Sequence, residues 1–443
     1  MRRLLNMLER LRKVHVKPKL GSQLKSDHKE PINKNYKKDI KMTNDTKPLD
    51  NKVIWQNLQH VLRVCEGHEQ PPIRGQVQLD MASDVDSLAD VLDIQRFVSD
   101  VFAAMNVPLE AASEMADALI AADYMGERSM GIHRLPAIAN DLLNLRVDPR
   151  MRPKVLCERE ALALVDGQNA PGPVVANFCM DLAMSKAREQ TIGLVVSRCS
   201  NNIGMASWYA CQALSQRLLG VCMSSGLPVL VASGGKEPLL GANSISCAAA
   251  TGTQQQFVMN VGMPGYTIEQ LELDYCNGYT QQLPPHLALD CNGLATSNVA
   301  DALQAQRLLP FAPEYKGFGL AAMVETLCGV MTGARYASQV VGRQGLFGTD
   351  QDVADLGQVY IAIDPMRFCV SFEERLSDFQ QLLRDALPWD ANQTPLIPGD
   401  KESLHMQMVD DQGGLTLSPC TLYVLQELSE RFNIKPLVVQ KTE

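Results

Sequence analysis

Lys316-Gly317-Phe318-Gly319-Leu320-Ala321-Ala322 joins a cation, two glycines at the Gly-x-Gly-x-x-Ala spacing and the start of a helical segment. Glycines at such a point let a helix N-terminus come close to a phosphate. Lys316 and the free backbone N–H groups beside it can hold a phosphate or a carboxylate. A dinucleotide fingerprint follows a strand, however, and this one follows Pro310-Phe311-Ala312-Pro313-Glu314-Tyr315. The same glycines therefore also fit close helix packing, with Gly329 and Gly333 extending the small-residue face. A second polar group, Arg128, Ser129, His133 and Arg134, follows an apolar helical stretch and reads either as a site or as a solvated helix end. Two turn-rich loops, Ser233-Gly234-Gly235-Lys236-Glu237-Pro238 and Leu240-Gly241-Ala242-Asn243-Ser244, read alone as ordinary connections. No Ser, His, Asp ordering or carboxylate pair points to a hydrolase. No Cys/His cluster has zinc spacing, so no metal site is expected.

The elements that must position these groups alternate in type. Helical periodicity spans 91–105, 110–124, 135–145, 174–189, 205–218, 319–332, 373–387 and 421–432. Short apolar runs at 162–165, 193–197, 220–224, 229–232, 245–249, 257–261 and 360–363 read as strands. That alternation predicts an α/β body around a mixed or parallel sheet.

The 443 residues are 46% apolar, 21% charged and 5% aromatic, ordinary for a globular chain with a large core. No apolar run approaches the roughly 20 residues a membrane helix needs, so no membrane association is expected. Residues 1–50 carry 14 Lys and Arg against 6 Asp and Glu, while the rest of the chain carries 27 against 44. An acidic body with a basic tail does not gather cations on one folded face, which argues against a nucleic-acid partner. The 12 cysteines form no Cys-x-x-C pair and sit mostly in apolar settings, as reduced thiols of an intracellular protein do. Residues 1–14 place Leu4, Leu8 and Leu11 on one side among arginines and are similar to a mitochondrial transit peptide; the alternative is a basic tail that targets nothing. The compartment is therefore read as mitochondrial or cytoplasmic. Residues 15–50 are too polar to offset backbone ordering, 53–64 can form a short amphipathic helix, and 66–87 read as linker. The expected division is an extension over 1–87 and a globular body over 88–443, with its cofactor-binding portion at about 155–330.

Read together, the motifs resemble the malate/L-lactate dehydrogenase family of the second type, NAD(P)-dependent enzymes that include sulfolactate and imino-acid reducing members. The resemblance runs through Ser129-Met130-Gly131-Ile132-His133-Arg134-Leu135-Pro136, Gly234-Gly235-Lys236-Glu237, Leu240-Gly241-Ala242-Asn243 and Asp290-x-x-Gly293-x-x-Thr296. It continues in Leu309-Pro310 through Lys316-Gly317-Phe318-Gly319-Leu320-Ala321, Ala362-Ile363-Asp364-Pro365 and Ile397-Pro398-Gly399. It implies a mixed-sheet, non-Rossmann NAD(P) domain flanked by a helical N-terminal segment and a small C-terminal part. It also implies a homodimer with the active site near the subunit interface. The substrate is implied to be a 2-oxo or 2-hydroxy acid resembling malate or lactate, its carboxylate held by Arg134 beside Ser129. Gly204, Asn243, Lys316, Gly317 and Gly319 fall where the family binds NAD or NADP.

The departures concern proton handling. The resemblance implies histidines where this chain has Met130 and, in Ser200-Asn201-Asn202-Ile203-Gly204, Asn202. A third motif, Asp-Met-Ala-Thr-Ser-x-x-Ala-x-Gly-Lys in the family, stands here as Asn260 through Gln270, with Pro264 and Glu269 inside it. Reduction of a 2-oxo acid needs a proton at oxygen as hydride reaches carbon. A thioether has none to give, and a carboxamide does not titrate near neutral pH. Losing such help forfeits about 10²–10⁴ in rate. His133, three residues after Met130, shares its face if the stretch is helical, and becomes a substitute acid/base; His286 is a weaker one. Three functions remain open: an NAD(P)-dependent 2-hydroxy acid dehydrogenase with unconventional proton transfer, a catalytically inactive homologue acting as a binding or dimerisation partner, or a dinucleotide-sensing module, against which the altered third motif argues.

Overall fold

The computed structural model describes residues 86–253, 255–277, 282–284, 286–341, 353–390 and 394–441. The transit-like segment, the polar stretch at 15–50 and the helix expected at 53–64 lie outside the described residues, as does all but the end of the expected linker.

A seven-stranded mixed sheet forms the centre. Its strands are β2 (Lys154–Glu158), β3 (Leu162–Asp166), β4 (Ile192–Ser200), β5 (Leu219–Ser224), β8 (Ser244–Ala249), β9 (Phe257–Val261) and β13 (Leu356–Ile363), in the order β2-β3-β4-β13-β5-β8-β9. The one parallel pair is β3 with β4, joined by helix α4 (Gly172–Gln190). β13 enters antiparallel between β4 and β5, setting Val359 opposite Val196 and Met223.

Period-two alternation gives the sheet two buried faces. Val195, Cys222, Tyr360 and Ala362 pack with α4 and α5 (Ala206–Gln212). Leu194, Val196, Val221, Met223, Val359 and Ile361 pack beneath α8 (Glu314–Glu325). Glycine lets the first two helices approach closely: a Cβ on Gly193 would fall 2.0 Å from the Ala183 carbonyl oxygen, and one on Gly220 2.2 Å from that of Ala210.

A second, five-stranded sheet orders as β11 (Ala295–Thr296), β10 (Ala288–Leu289), β12 (Arg307–Leu308), β6 (Leu230–Val231) and β7 (Pro238–Leu240). Helices α6 (Ile268–Cys276) and α7 (Val299–Ala305) pack on it through Ile268, Leu271, Val299 and Ala302.

The chain ends close a third unit. β1 (Ser87–Ala89) pairs antiparallel with both β14 (Leu415–Leu417) and β15 (Val439–Lys441). Beside it stand α1 (Val91–Ala104), α2 (Leu109–Tyr124), α3 (Leu135–Leu143), α10 (Asp400–Gln412) and α11 (Pro419–Phe432). Asp90 caps α1 by accepting from the backbone of Leu92 and Asp93, and Ser418 caps α11 by accepting from Thr421.

The expected helix at 205–218 ends early as α5 and a 3-10 turn, where Arg217 takes a left-handed φ of 58°. The one at 319–332 starts at Glu314, so Gly317 and Gly319 lie within α8 rather than in a loop before it. Helices α6, α7 and α10 carry no clean apolar period and were not expected. α10 buries only Val409 and leaves Leu404 and Met408 exposed.

Candidate functional site

The segment expected to carry chemistry is two 3-10 turns, Arg128–Met130 and Ile132–Arg134, joined at Gly131. Gly131 is extended there, with φ of −87° and ψ of −150°. Asp123 at the end of α2 fixes the junction: its Oδ2 accepts from the Ile132 backbone N–H at 2.7 Å. A Cβ on Gly131 would fall 2.1 Å from Asp123 Oδ1, so only glycine lets the turns lie against that carboxyl. Asp123 is 5% exposed, and burial pushes its pKa up to about 7.

Because the two turns break at Gly131, Met130 and His133 do not share a face. Met130 lines a cavity of about 150 Å³ between α2, α3 and the loop after β4. His133 does not line it. Its ring is 1% exposed, its Nδ1 lies 3.3 Å from the Thr421 hydroxyl of α11, and its Nε2 is buried without a hydrogen-bond partner. Burial, with the Arg134 charge beside it, lowers its pKa to about 3. That side chain stays neutral and packs against Thr421 rather than lining the cavity. The expectation that it replaces a lost acid/base assumed a continuous helix, which this backbone is not. Ser129 is buried and also does not line the cavity, and His286 lies on the exposed loop before β10 with a φ of 68°.

The cavity gathers Met130, Arg134, Asn202 and Gly204 from two distant stretches of chain. Asn202 enters from the end of β4; its Oδ1 accepts from the Gly204 backbone N–H at 2.8 Å, which leaves its NH₂ to donate. Gly204 has a φ of 72° and no atom within 4 Å of where a Cβ would stand. Most of the remaining wall is apolar, including Met115, Leu119, Ile138, Leu142 and Ile203.

Two acidic residues here escaped sequence reasoning. Arg134 Nη1 donates to Glu272 Oε2 of α6 at 2.9 Å, with the side chains 11% and 5% exposed. Nothing in spacing connects positions 134 and 272, so that pairing was not readable. Asp141 lines the cavity from α3, seven residues after Arg134, a helical repeat that could have flagged it. It accepts from Arg146 Nη1 at 3.0 Å, and burial raises its pKa against the pull of Arg146 and Arg134.

The residues expected to hold a dinucleotide divide. Lys316 and Gly319 are exposed on α8, and Gly319 has open space where a Cβ would stand. Gly317 is buried, and a Cβ there would fall 2.5 Å from the Phe311 carbonyl oxygen, which is the close-packing alternative. Asn243, with φ of 44°, donates to the Ala321 carbonyl at 3.0 Å and to Glu325 Oε2 at 2.7 Å, so its side chain ties its loop to α8. Other expected blocks meet: Lys236 lies along Gly293, whose turn is held by Asp290 accepting from the backbone of Asn292 and Leu294. In the altered third motif, Pro264 bridges to Pro310, and the Glu269 side chain is buried in the first turn of α6. Among the described residues, no helix is long and apolar enough to cross a membrane.

Comparison with known proteins agrees with this architecture. The malate dehydrogenase of Pyrococcus abyssi is 29% identical over 351 residues, covering 77% of this chain and 94% of that protein. The L-sulfolactate dehydrogenase of Methanothermobacter thermautotrophicus is 29% identical over 314 residues, covering 70% and 88%. Among solved structures, malate dehydrogenase from Pyrococcus horikoshii OT3 superposes with a TM-score of 0.72 at 26% identity, covering 82% of this chain and 99% of that one. The family model for malate/L-lactate dehydrogenase matches residues 90–426, and the chain belongs to that family.

Proposed function

We propose that this chain keeps the ligand-binding architecture of a 2-hydroxy acid dehydrogenase but not its proton transfer, and acts as a binding homologue with little or no turnover. One observation carries the reading: Met130 and Asn202 line the same cavity as Arg134, and the ionisable side chains among its described lining residues are Arg134 and Asp141 alone. Arg134 meets the carboxylate of a 2-oxo or 2-hydroxy acid with the N–H groups it does not give to Glu272. The Asn202 amide donates a hydrogen bond to the acid's oxygen but has no proton to transfer. Gly204 leaves room at the cavity, and Lys316 offers an exposed cation at the N-terminal end of α8; these two, with Gly319, are the residues that would hold NAD or NADP. When bound, that group supplies or accepts the hydride. Pairing of two copies, which the resemblance implies, is supported by the exposed Leu320, Met323, Val330 and Met331 along and just past α8.

Restoring imidazoles tests the reading. Met130→His combined with Asn202→His is expected to raise NADH oxidation with a 2-oxo acid by 10²-fold or more over the unaltered chain. Unaltered protein that turns over faster than this double variant overturns it.

Asp141 favours a second reading, a working dehydrogenase. A carboxyl held toward its protonated form at the cavity wall is what a general acid requires. Asp141→Asn abolishes turnover on that reading, and leaves any residual rate within twofold on the first.

A further inference from the structure

We propose that the ligand of this cavity is a monocarboxylate with an aliphatic tail of about six carbons in all, not a dianion. The inference rests on Arg134 receiving the carboxylate, as proposed above. Two of the relatives are named for malate and sulfolactate, acids with two anionic groups. A second cation holds such a ligand best, and among the described lining residues Arg134 is the one cation present. The other ionisable group is a carboxyl, Asp141, and it opposes a second negative charge.

Besides Arg134, Asp141, Asn201 and Asn202, the lining includes the apolar side chains Met115, Leu119, Met130, Ile138, Leu142 and Leu227. The apolar ones cannot pair with an anion, and all of them gain by covering an alkyl chain. A cavity of about 150 Å³ has room for a molecule the size of benzene, and the four-carbon tail of a six-carbon 2-oxo acid is smaller than that. Met130 then has a use that an imidazole would not share: an adaptable apolar contact for the tail.

The test is equilibrium binding to the full chain by calorimetry, with and without NADH, using pyruvate, oxaloacetate and 4-methyl-2-oxopentanoate as probes. Three added carbons at about fourfold each, the equivalent of ~0.8 kcal/mol per buried methylene, predict that 4-methyl-2-oxopentanoate binds roughly 60-fold tighter than pyruvate. Oxaloacetate is expected to bind no better than pyruvate. Ile138→Phe, which fills the cavity, is expected to weaken 4-methyl-2-oxopentanoate at least tenfold and pyruvate less than threefold. Its unliganded melting temperature reports whether it folds, and Leu227→Phe, from another lining residue, serves the same purpose. Oxaloacetate binding as tightly as 4-methyl-2-oxopentanoate, affinity indifferent to chain length, or no binding of any probe overturns the ligand class and leaves the absence of turnover standing. Tight binding of 4-methyl-2-oxopentanoate followed by rapid NADH oxidation confirms the class and overturns the absence of turnover instead.

Discussion

Changing Glu272 to glutamine separates what the Arg134 pair does for the fold from what it does for the ligand. The pair is short, 2.9 Å, and its side chains are 11% and 5% exposed. Removing one charge from such a pair costs about 3–5 kcal/mol when nothing else compensates it, and here Arg134 keeps the nearby carboxyl of Asp141, which places the loss at the lower end of that range or below it. At roughly 2.1 cal/mol/K per residue, a folded body of about 350 residues has an unfolding entropy near 0.7 kcal/mol/K, so the melting temperature falls by up to about 4 °C. The vacated guanidinium then faces the cavity without the Glu272 carboxylate. A ligand carboxylate takes that place, and its affinity rises by tenfold or more, since each 1.4 kcal/mol of recovered pairing is a factor of ten. Differential scanning fluorimetry reads the first effect and calorimetric titration with 4-methyl-2-oxopentanoate the second. At a hundredfold excess over Kd the ligand returns about 2.7 kcal/mol, or close to 4 °C. Glu272→Gln with an unchanged melting temperature, or with weaker carboxylate binding, refutes the claim that Glu272 holds the place of a ligand's acid group.

Asp123 makes the fold sensitive to pH in a defined direction. Its folded pKa of about 7 lies above the ordinary 3.8, so between those values the folded state holds a proton that the unfolded chain has released. Stability therefore falls as pH rises from about 4 to 7, by on the order of 4 kcal/mol from this group, and Asp123→Asn flattens that slope in chemical denaturation at pH 4.5 and 7.5. Asn243→Ala removes the donor to Ala321 and Glu325 and is expected to cost about 2 kcal/mol in urea unfolding. It should leave NADH affinity within threefold, because that side chain serves the loop rather than the dinucleotide.

Much of the central sheet was legible because its strands are short, continuous apolar runs: Leu194, Val195 and Val196 or Val221, Cys222 and Met223 each serve two opposite cores. Helices α1, α2, α4 and α11 were legible for the corresponding reason, an apolar face at helical period. Helix α10 was not, because Asp400–Gln412 buries one apolar residue and keeps its place through other ties, such as His405 Nε2 at 3.1 Å from the Asp123 carbonyl oxygen. Edge strand β2 was missed because it is mostly exposed and shows no alternation. In the site, the resemblance led to Arg134, Met130, Asn202 and Gly204, and these do share a cavity. The reading of His133 depended on an unbroken helix, because three residues apart means one face only there, and Gly131 joins two separate turns. Glu272 and the apolar walls depend on contacts between residues over a hundred positions apart, and no local pattern encodes those.

Whether the cavity can deliver a proton is decided most directly by NADH and NADPH oxidation by the unaltered chain at micromolar enzyme, with oxaloacetate, pyruvate and 4-methyl-2-oxopentanoate. With Met130 and Asn202 in place, turnover is expected at least 10²-fold below the ~10 s⁻¹ typical of enzymes, that is under about 0.1 s⁻¹, for every acid tested. A kcat at or above about 10 s⁻¹ with any of them contradicts the account.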